Sequence, residues 1–548
     1  MSMFRAETTG TGAGTVEAIA IVGLSCRLPQ APDPQAFWQL LRDGRSAVGR
    51  VPADRWDAEL LPEAARHGAF LDRVDGFDPA FFGISPREAV AMDPQQRLML
   101  ELAWESVEDA GILPEALRGS RTGVFVGAIL DDYAALMHRQ GLGAVTQHTI
   151  TGVQRGILAN RISYLLGLRG PSLAVDTAQS SGLSAVYLAC ESLRSGASDL
   201  ALAGAVNLNL VPDSALGAAR FGGLSPDGRC HTFDARANGY VRGEGGALVL
   251  LKPLAKALAD GDPVHCVIRG SAMNNDGATD GLTVPNPDAQ REVLRLAYRQ
   301  AEVDPASVQY VELHGTGTKV GDPIEASALG AELGRAEGRR APLVVGSAKT
   351  NVGHLEGAAG IVGLLKAALA VEHRQIPASL NFETPNPDIP LEGLNLEVAQ
   401  ALVDWPGDGL PLAGVSSFGM GGTNCHVVLE GCPDHVRRAR ADRAAGGVCP
   451  IALSGRSREA LRAQAEQLQA FLADRPEIDL DDLAFSRLAT RTAFSHRAVV
   501  LGQDREQLLR GLSAVAVGGE SGRVVSGVVG GSGGRLGLLF SGQGSQRA

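Results

Sequence analysis

Apolar residues in this chain alternate between two textures: short unbroken runs that suit buried strands, and longer stretches spaced by three and four that suit helices. Ala18-Ile19-Ala20-Ile21-Val22-Gly23 is the first run and puts the start of ordered structure near Glu17. Asp93-Pro94-Gln95-Gln96 reads as a helix start, with Asp as N-cap, Pro at the first helical position and Gln at the third. Leu98, Leu102 and Val107 carry that helix on, and Thr122-Gly123-Val124-Phe125-Val126-Gly127 is a second buried strand. Val175-Asp176-Thr177-Ala178-Gln179-Ser180-Ser181-Gly182 then combines a strand end, a tight polar turn and a helix carrying Leu183, Val186, Tyr187, Cys190 and Leu193. The alternation runs through Glu430 and predicts an α/β layered architecture.

That strand–turn–helix has an echo. Leu343-Val344-Val345-Gly346-Ser347 leads into a turn from Lys349 to His354 and a helix over 355–373. Two such units imply a duplicated fold with an active centre between its halves. Past Glu430 the texture changes: 431–448 is Arg/Ala/Gly-rich and reads as a linker. A strand over 450–453 follows, then an N-cap at Ser457 and a helix with Leu461, Ala465, Leu468 and Leu472 inward. The predicted small second domain reaches about Val529. A glycine-rich stretch over 527–534 precedes a last apolar strand over 536–540, and the chain stops as if cut from something longer.

At 548 residues, two or three cores are expected. A net charge of −11 argues against a nucleic-acid surface. No run approaches 18 apolar residues and no h-region opens the chain, so neither a membrane span nor a secretory signal is expected. Seven scattered cysteines without a C-x-x-C pair read as free buried thiols in a reducing cytoplasm and argue against a metal site. Glycine clusters such as Gly243-Glu244-Gly245-Gly246 and Gly419-Met420-Gly421-Gly422 suggest close backbone packing and anion-type turns.

The chemistry centres on position 179. A sharp turn between strand and helix exposes its side chain and aims helix N–H groups at it. Glutamine there has no titratable proton and no nucleophilic sulfur, so a covalent acyl intermediate on this residue is excluded. Cys190 lies eleven residues further on, about 16 Å along a helix axis, and cannot substitute. Cys425 sits in a core-like alternation and reads as a packing thiol. Three further segments join the set: His314-Gly315-Thr316-Gly317-Thr318 before Gly321-Asp322-Pro323-Ile324-Glu325; Ser347-Ala348-Lys349-Thr350-Asn351-Val352-Gly353-His354-Leu355-Glu356; and Ser416-Ser417-Phe418-Gly419-Met420-Gly421-Gly422-Thr423-Asn424.

In this order the four segments strongly resemble the β-ketoacyl synthase domain of modular type I polyketide synthases, over about Glu17 to Glu430. The resemblance implies a thiolase-like duplicated αβαβα layered fold over 17–433 after a flexible 1–16. It also implies a small α/β linker domain between ketosynthase and acyltransferase over 434–534, and the start of an acyltransferase over 535–548. The G-x-S-x-G match at 530–534 is read as chance. The family's nucleophilic cysteine falls on Gln179, its catalytic histidines on His314 and His354, and its orienting lysine on Lys349. The backbone N–H groups of Gln179 and Met420 match the oxyanion hole. Thr316 and Thr318 match pantetheine contacts, with Phe418 and Met420 on the pocket wall; Met420 stands where an aromatic gate is common.

Glutamine with both histidines kept is the mark of the decarboxylating ketosynthase of loading modules. That variant acts on malonyl-type units carried on the phosphopantetheine of an acyl carrier protein, with no cofactor of its own. A short N-terminus without a docking helix agrees, and a homodimer with a covalently following acyltransferase is expected. Two other readings of Gln179 stay open: a substitution engineered into a condensing synthase, and a catalytically silent docking or dimerisation scaffold. Simpler roles also stand: Thr316 and Thr318 bracing their turn, Lys349 as a solvated charge, Asp322 and Glu325 holding a turn and helix start, Phe418 as wall. Glu356 caps or bonds near His354, its chemistry unassigned, while His148, His231 and His426 are read as structural.

Overall fold

A computed structural model describes residues 16–433 and 447–530. The expectations for the N-terminus, most of the 431–448 linker, the strand over 536–540, the G-x-S-x-G match and the acyltransferase start lie wholly or largely outside these residues. The described chain falls into two compact units.

The larger unit is built on a mixed sheet of eleven strands: β1 (Ile19–Arg27), β2 (Thr122–Gly127), β3 (Ser172–Val175), β4 (Leu200–Asn207), β5 (Gly245–Pro253), β6 (Cys266–Asn275), β7 (Tyr310–Glu312), β8 (Leu343–Gly346), β9 (Leu396–Val398), β10 (Leu412–Phe418) and β11 (Thr423–Gly431). Their spatial order is β9-β8-β7-β10-β11-β6-β1-β5-β4-β2-β3. Setting aside edge strand β9, each half carries the same order, third-second-fourth-fifth-first. The halves join where their first strands pair antiparallel, Ile19–Ile21 against Cys266–Ile268. The duplication is therefore one of topology, and this is the thiolase-like fold.

In each half a helix follows the third strand: α2 (Ser181–Arg194) after β3, and α4 (Ala359–His373) after β8. From Ala359 to Val371 every residue of α4 is buried, including Lys366, whose ammonium pairs with Glu312 at 2.8 Å. The two helix starts meet back to back. A Cβ on Gly182 would lie 3.0 Å from the Ile361 nitrogen, so glycine there permits the approach. The predicted turn from Lys349 to His354 differs in form. Lys349–Val352 is a short helical turn, α3, and α4 begins at Ala359, four residues later than expected.

Helix α1 (Pro94–Asp109) starts at the predicted cap, with Asp93 accepting from the Gln95 N–H at 2.8 Å. The Gln96 side-chain amide donates to the Thr151 and Gly152 carbonyls, where that end of the helix packs against another segment. The Gly243–Gly246 cluster is no anion-type turn. Gly245 opens β5, and the buried Glu244 carboxylate pairs with Arg55 at 2.6 Å. All seven cysteines are buried, and burial pushes the Cys190 thiol up to about 12.

The smaller unit is a three-stranded antiparallel sheet, β12 (Cys449–Gly455), β13 (His496–Gly502) and β14 (Val524–Val528), with α5 (Arg458–Asp474), α6 (Leu480–Ala489) and α7 (Arg505–Val517). Ser457 caps α5 by accepting from the Ala460 N–H. Leu461, Ala465 and Leu472 are buried as the periodicity predicts, with Leu468 half-buried beside them. Among the described residues no helix is long and apolar enough to cross a membrane.

Candidate active site

The site forms at the carboxyl ends of β3, β7 and β8, closed by the β10–β11 hairpin. Ala178 holds a left-handed backbone (φ 55°), a conformation costing an L-residue about 1–2 kcal/mol, and this bend turns Gln179 into a cavity of about 370 Å³. The hairpin tip packs hard on the elbow: a Cβ at Gly419 would sit 2.3 Å from the Thr177 carbonyl oxygen. Ser417 Oγ donates to the Gln179 carbonyl at 3.0 Å. That closeness brings Met420 to Gln179, whose Oε1 accepts the Met420 backbone N–H at 3.0 Å. The other end of the same amide, Nε2, donates to Glu356 Oε2 at 3.3 Å.

His314 and His354 face the same cavity, their rings 5.6 Å apart and nearly perpendicular. Each ring has one nitrogen claimed by the backbone. The Phe418 N–H donates to His314 Nδ1 at 3.3 Å, and the Glu356 N–H donates to His354 Nδ1 at 2.9 Å. A nitrogen that accepts carries no proton, so each neutral ring holds its proton on Nε2. Burial, reinforced by the Lys349 charge, keeps both imidazoles well below their usual range, so they are neutral donors near pH 7. The arrangement can present two N–H groups to a single developing oxyanion.

Lys349 is buried behind them. Burial pushes its ammonium below the usual lysine range, while Glu312 and Glu325 oppose that shift. Glu325 accepts the N–H groups of His314 and Gly315 at 2.7 and 2.8 Å, and Asp322 accepts those of Gly317 and Phe233 at 3.0 and 2.8 Å. The two acids hold the His-Gly-Thr-Gly-Thr turn in shape. Thr316 and Thr318 line the cavity with their hydroxyls 3.1 Å apart, and Thr318 also accepts the Gly321 N–H. Phe418 lies 5.5 Å from the His314 ring, and half-exposed Met420 stands at the wall. His426 is structural, bonded to Ser416 and Tyr298.

Arg242 and Tyr240 escaped the sequence reading. Arg242 Nε meets Glu356 Oε1 at 3.3 Å, and the Tyr240 ring lies 4.8 Å from that of His354. Both sit just before the glycine cluster at 243–246, which flagged the segment without pointing to these side chains. Among the described residues no group of His, Cys, Asp and Glu is arranged to hold a metal ion.

Comparison with known proteins adds three layers. The model of the β-ketoacyl synthase N-terminal domain matches residues 16–257, that of its C-terminal domain 265–383, and that of the ketoacyl-synthetase C-terminal extension 385–501. Polyketide synthase GfsA of Streptomyces halstedii is 57% identical over 568 residues, taking in all of this chain and 8% of that protein. Polyketide synthase GfsB of the same organism is 45% identical over 546 residues, with 97% of this chain and 10% of that one covered. The chain thus spans only a small part of the length of these relatives. Among solved structures, the ketosynthase from module 6 of the Bacillus subtilis 168 bacillaene synthase superposes with a TM-score of 0.85 at 36% identity, over 94% of this chain and 87% of that one. The oxazolomycin ketosynthase domain of Streptomyces albus JA3453 gives 0.88 at 36% identity, over 93% and 90%.

Proposed function

This chain belongs to the β-ketoacyl synthase family, homologous to the ketosynthases of modular type I polyketide synthases, and we propose that it decarboxylates malonyl- or alkylmalonyl-type thioesters without joining two acyl chains. The observation that carries this reading is the Gln179 amide, whose oxygen sits on the Met420 N–H where the family's acyl-cysteine carbonyl would be received. The elbow is held in an acylated-looking state that cannot be acylated, so no donor chain is available for condensation.

Loss of CO2 from a β-carboxy thioester leaves an electron pair that delocalises onto the thioester oxygen. With the Met420 donor already taken, that oxygen goes to the Nε2–H groups of His314 and His354. Preorganised donors aimed at developing charge lower the barrier, by about 3 kcal/mol for one such donor. Phe221, Val284, Pro285, Val320 and Phe418 give the cavity wall an apolar stretch, which favours neutral CO2 over a charged carboxylate beside it. In this reading Thr316 and Thr318, at the same wall, bond the amides of a phosphopantetheine arm delivered by an acyl carrier protein.

A homodimer fits the same reading. β3 is an edge strand, and Leu173, Tyr164, Ile150, Val145 and Leu142 are exposed on the segments leading to and around it.

The deciding experiment supplies malonyl- and methylmalonyl-loaded carrier protein to the purified chain and follows CO2 and the acyl product by mass spectrometry. Acetyl or propionyl carrier protein, formed once the enolate carbon takes up a proton from solvent, is expected, with no covalent enzyme adduct. A condensed product, an acylated enzyme or untouched substrate would overturn the proposal.

A further inference from the structure

We infer that Glu356 is a positioning residue that fixes which end of the Gln179 amide faces the Met420 N–H, and that Arg242 holds Glu356 to that task; this rests on the decarboxylase reading above. The two ends of a glutamine amide have nearly the same shape and opposite hydrogen-bonding character, so only partners decide its orientation. Here both partners agree. Oε1 receives the Met420 N–H at 3.0 Å and Nε2 gives to Glu356 Oε2 at 3.3 Å. Turning the amide over would set an NH2 against an N–H and an oxygen against a carboxylate, making both contacts repulsive at once.

The carboxylate is itself held. Its Oε1 takes Arg242 Nε at 3.3 Å, and Arg242 Nη1 donates to Ser214 Oγ at 3.1 Å. Ser214 Oγ lies 3.2 Å from Asp132 Oδ2, which also accepts the Leu210 and Val211 N–H groups at 2.9 and 3.2 Å. A chain of alternating donors and acceptors thus runs from a backbone-anchored carboxylate to the amide in the cavity. Arg242, Glu356 and Asp132 are all buried, where a paired charge keeps its directing power. Glu356 also holds a left-handed backbone (φ 47°), and its own N–H is the one on His354 Nδ1. One residue therefore orients the spacer with its side chain and an imidazole with its main chain.

The side-chain role is separable by a double-mutant cycle on full-length chain, with malonyl-pantetheine as substrate. Glu356→Gln keeps size and main chain but removes the charge that selects the amide end. It is expected to lower kcat by about tenfold with KM within about twofold, and to lower it no further when added to Gln179→Ala. Arg242→Lys should retain more of the rate than Arg242→Met. Equal losses from Glu356→Gln in the two backgrounds, or none in either, would overturn the assignment. Hydrogen exchange at the Met420 amide provides a readout independent of turnover, with protection expected in the parent and lost in both Glu356→Gln and Gln179→Ala. Unchanged protection in Glu356→Gln would also overturn it. Should the parent release no CO2, the decarboxylase reading fails alone and the exchange measurement still decides the positioning.

Discussion

The Met420 backbone N–H and the Gln179 side-chain oxygen, 241 positions apart in sequence, meet at 3.0 Å. A donor that the family resemblance assigns to an acyl group is thereby occupied by the protein itself.

Vacating that donor should harm the reaction. Gln179→Ala frees the Met420 N–H for the thioester oxygen and draws it away from the imidazoles. The decarboxylation rate is expected to fall by about tenfold or more, since a misplaced oxyanion forfeits donors worth a few kcal/mol. CO2 release at constant substrate loading checks this. Gln179→Cys should instead take up a mass increment from an acyl thioester.

The imidazoles are expected to act as a pair. Removing either, as His314→Ala or His354→Ala, should cost on the order of 10²-fold in kcat, and the double variant less than the product of the two. Single-turnover kinetics of the three variants measures it. A His354→Ala rate equal to the parent's would remove the ring from the mechanism.

Both rings should stay neutral well into acid. Because burial lowers their folded values beneath the ordinary ~6.5, the neutral form persists as pH falls until those lower values are reached. The unfolded chain takes up these protons first, so the two rings subtract stability progressively below about pH 6.5. Ring 15N shifts should report Nε2–H tautomers at pH 6; imidazolium shifts there would contradict the assignment.

His265 works the other way. It precedes β6 and bonds Asp109 at the end of α1 and Glu372 in α4, each at 3.0 Å. Against the opposing effect of burial, these two carboxylates raise it to about 10. A raised value means the stabilisation is complete below the unfolded ~6.5 and is lost as pH climbs towards 10. Denaturant unfolding of the parent and His265→Gln should differ by about 1–3 kcal/mol at pH 6, from hydrogen bonds to charged groups, and converge near pH 10.

Thr318→Val should separate delivery from chemistry. Its hydroxyl lies on the cavity wall, so its loss is expected to raise KM for a carrier-borne substrate severalfold while kcat holds, as for any uniform-binding contact. Titrating the carrier protein at fixed enzyme measures the split.

Local pattern carried much of this. The elbow at Gln179, the two histidine turns and the capped helices were legible because each is a short-range arrangement of strand end, turn residue and helix start. The duplication was visible as one echo, while the identical strand order became clear only from pairing. Arg242 was illegible for a physical reason. It reaches Glu356 over 114 positions, and no local periodicity marks an arginine whose partner is made by the fold. Gln96 marked the helix start correctly, but its side-chain partners, the Thr151 and Gly152 carbonyls, lie 55 and 56 positions away and leave no local trace. The direction of every hydrogen bond at the site was hidden likewise.

The two halves share a strand order but not the work. The amino-terminal half supplies the elbow, and the carboxy-terminal half both imidazoles, the lysine and the hairpin that closes over them. The residue at the elbow and the groups that answer it are therefore written in different halves of the chain, so a change at 179 is felt across the seam, at the Met420 N–H and the Glu356 carboxylate.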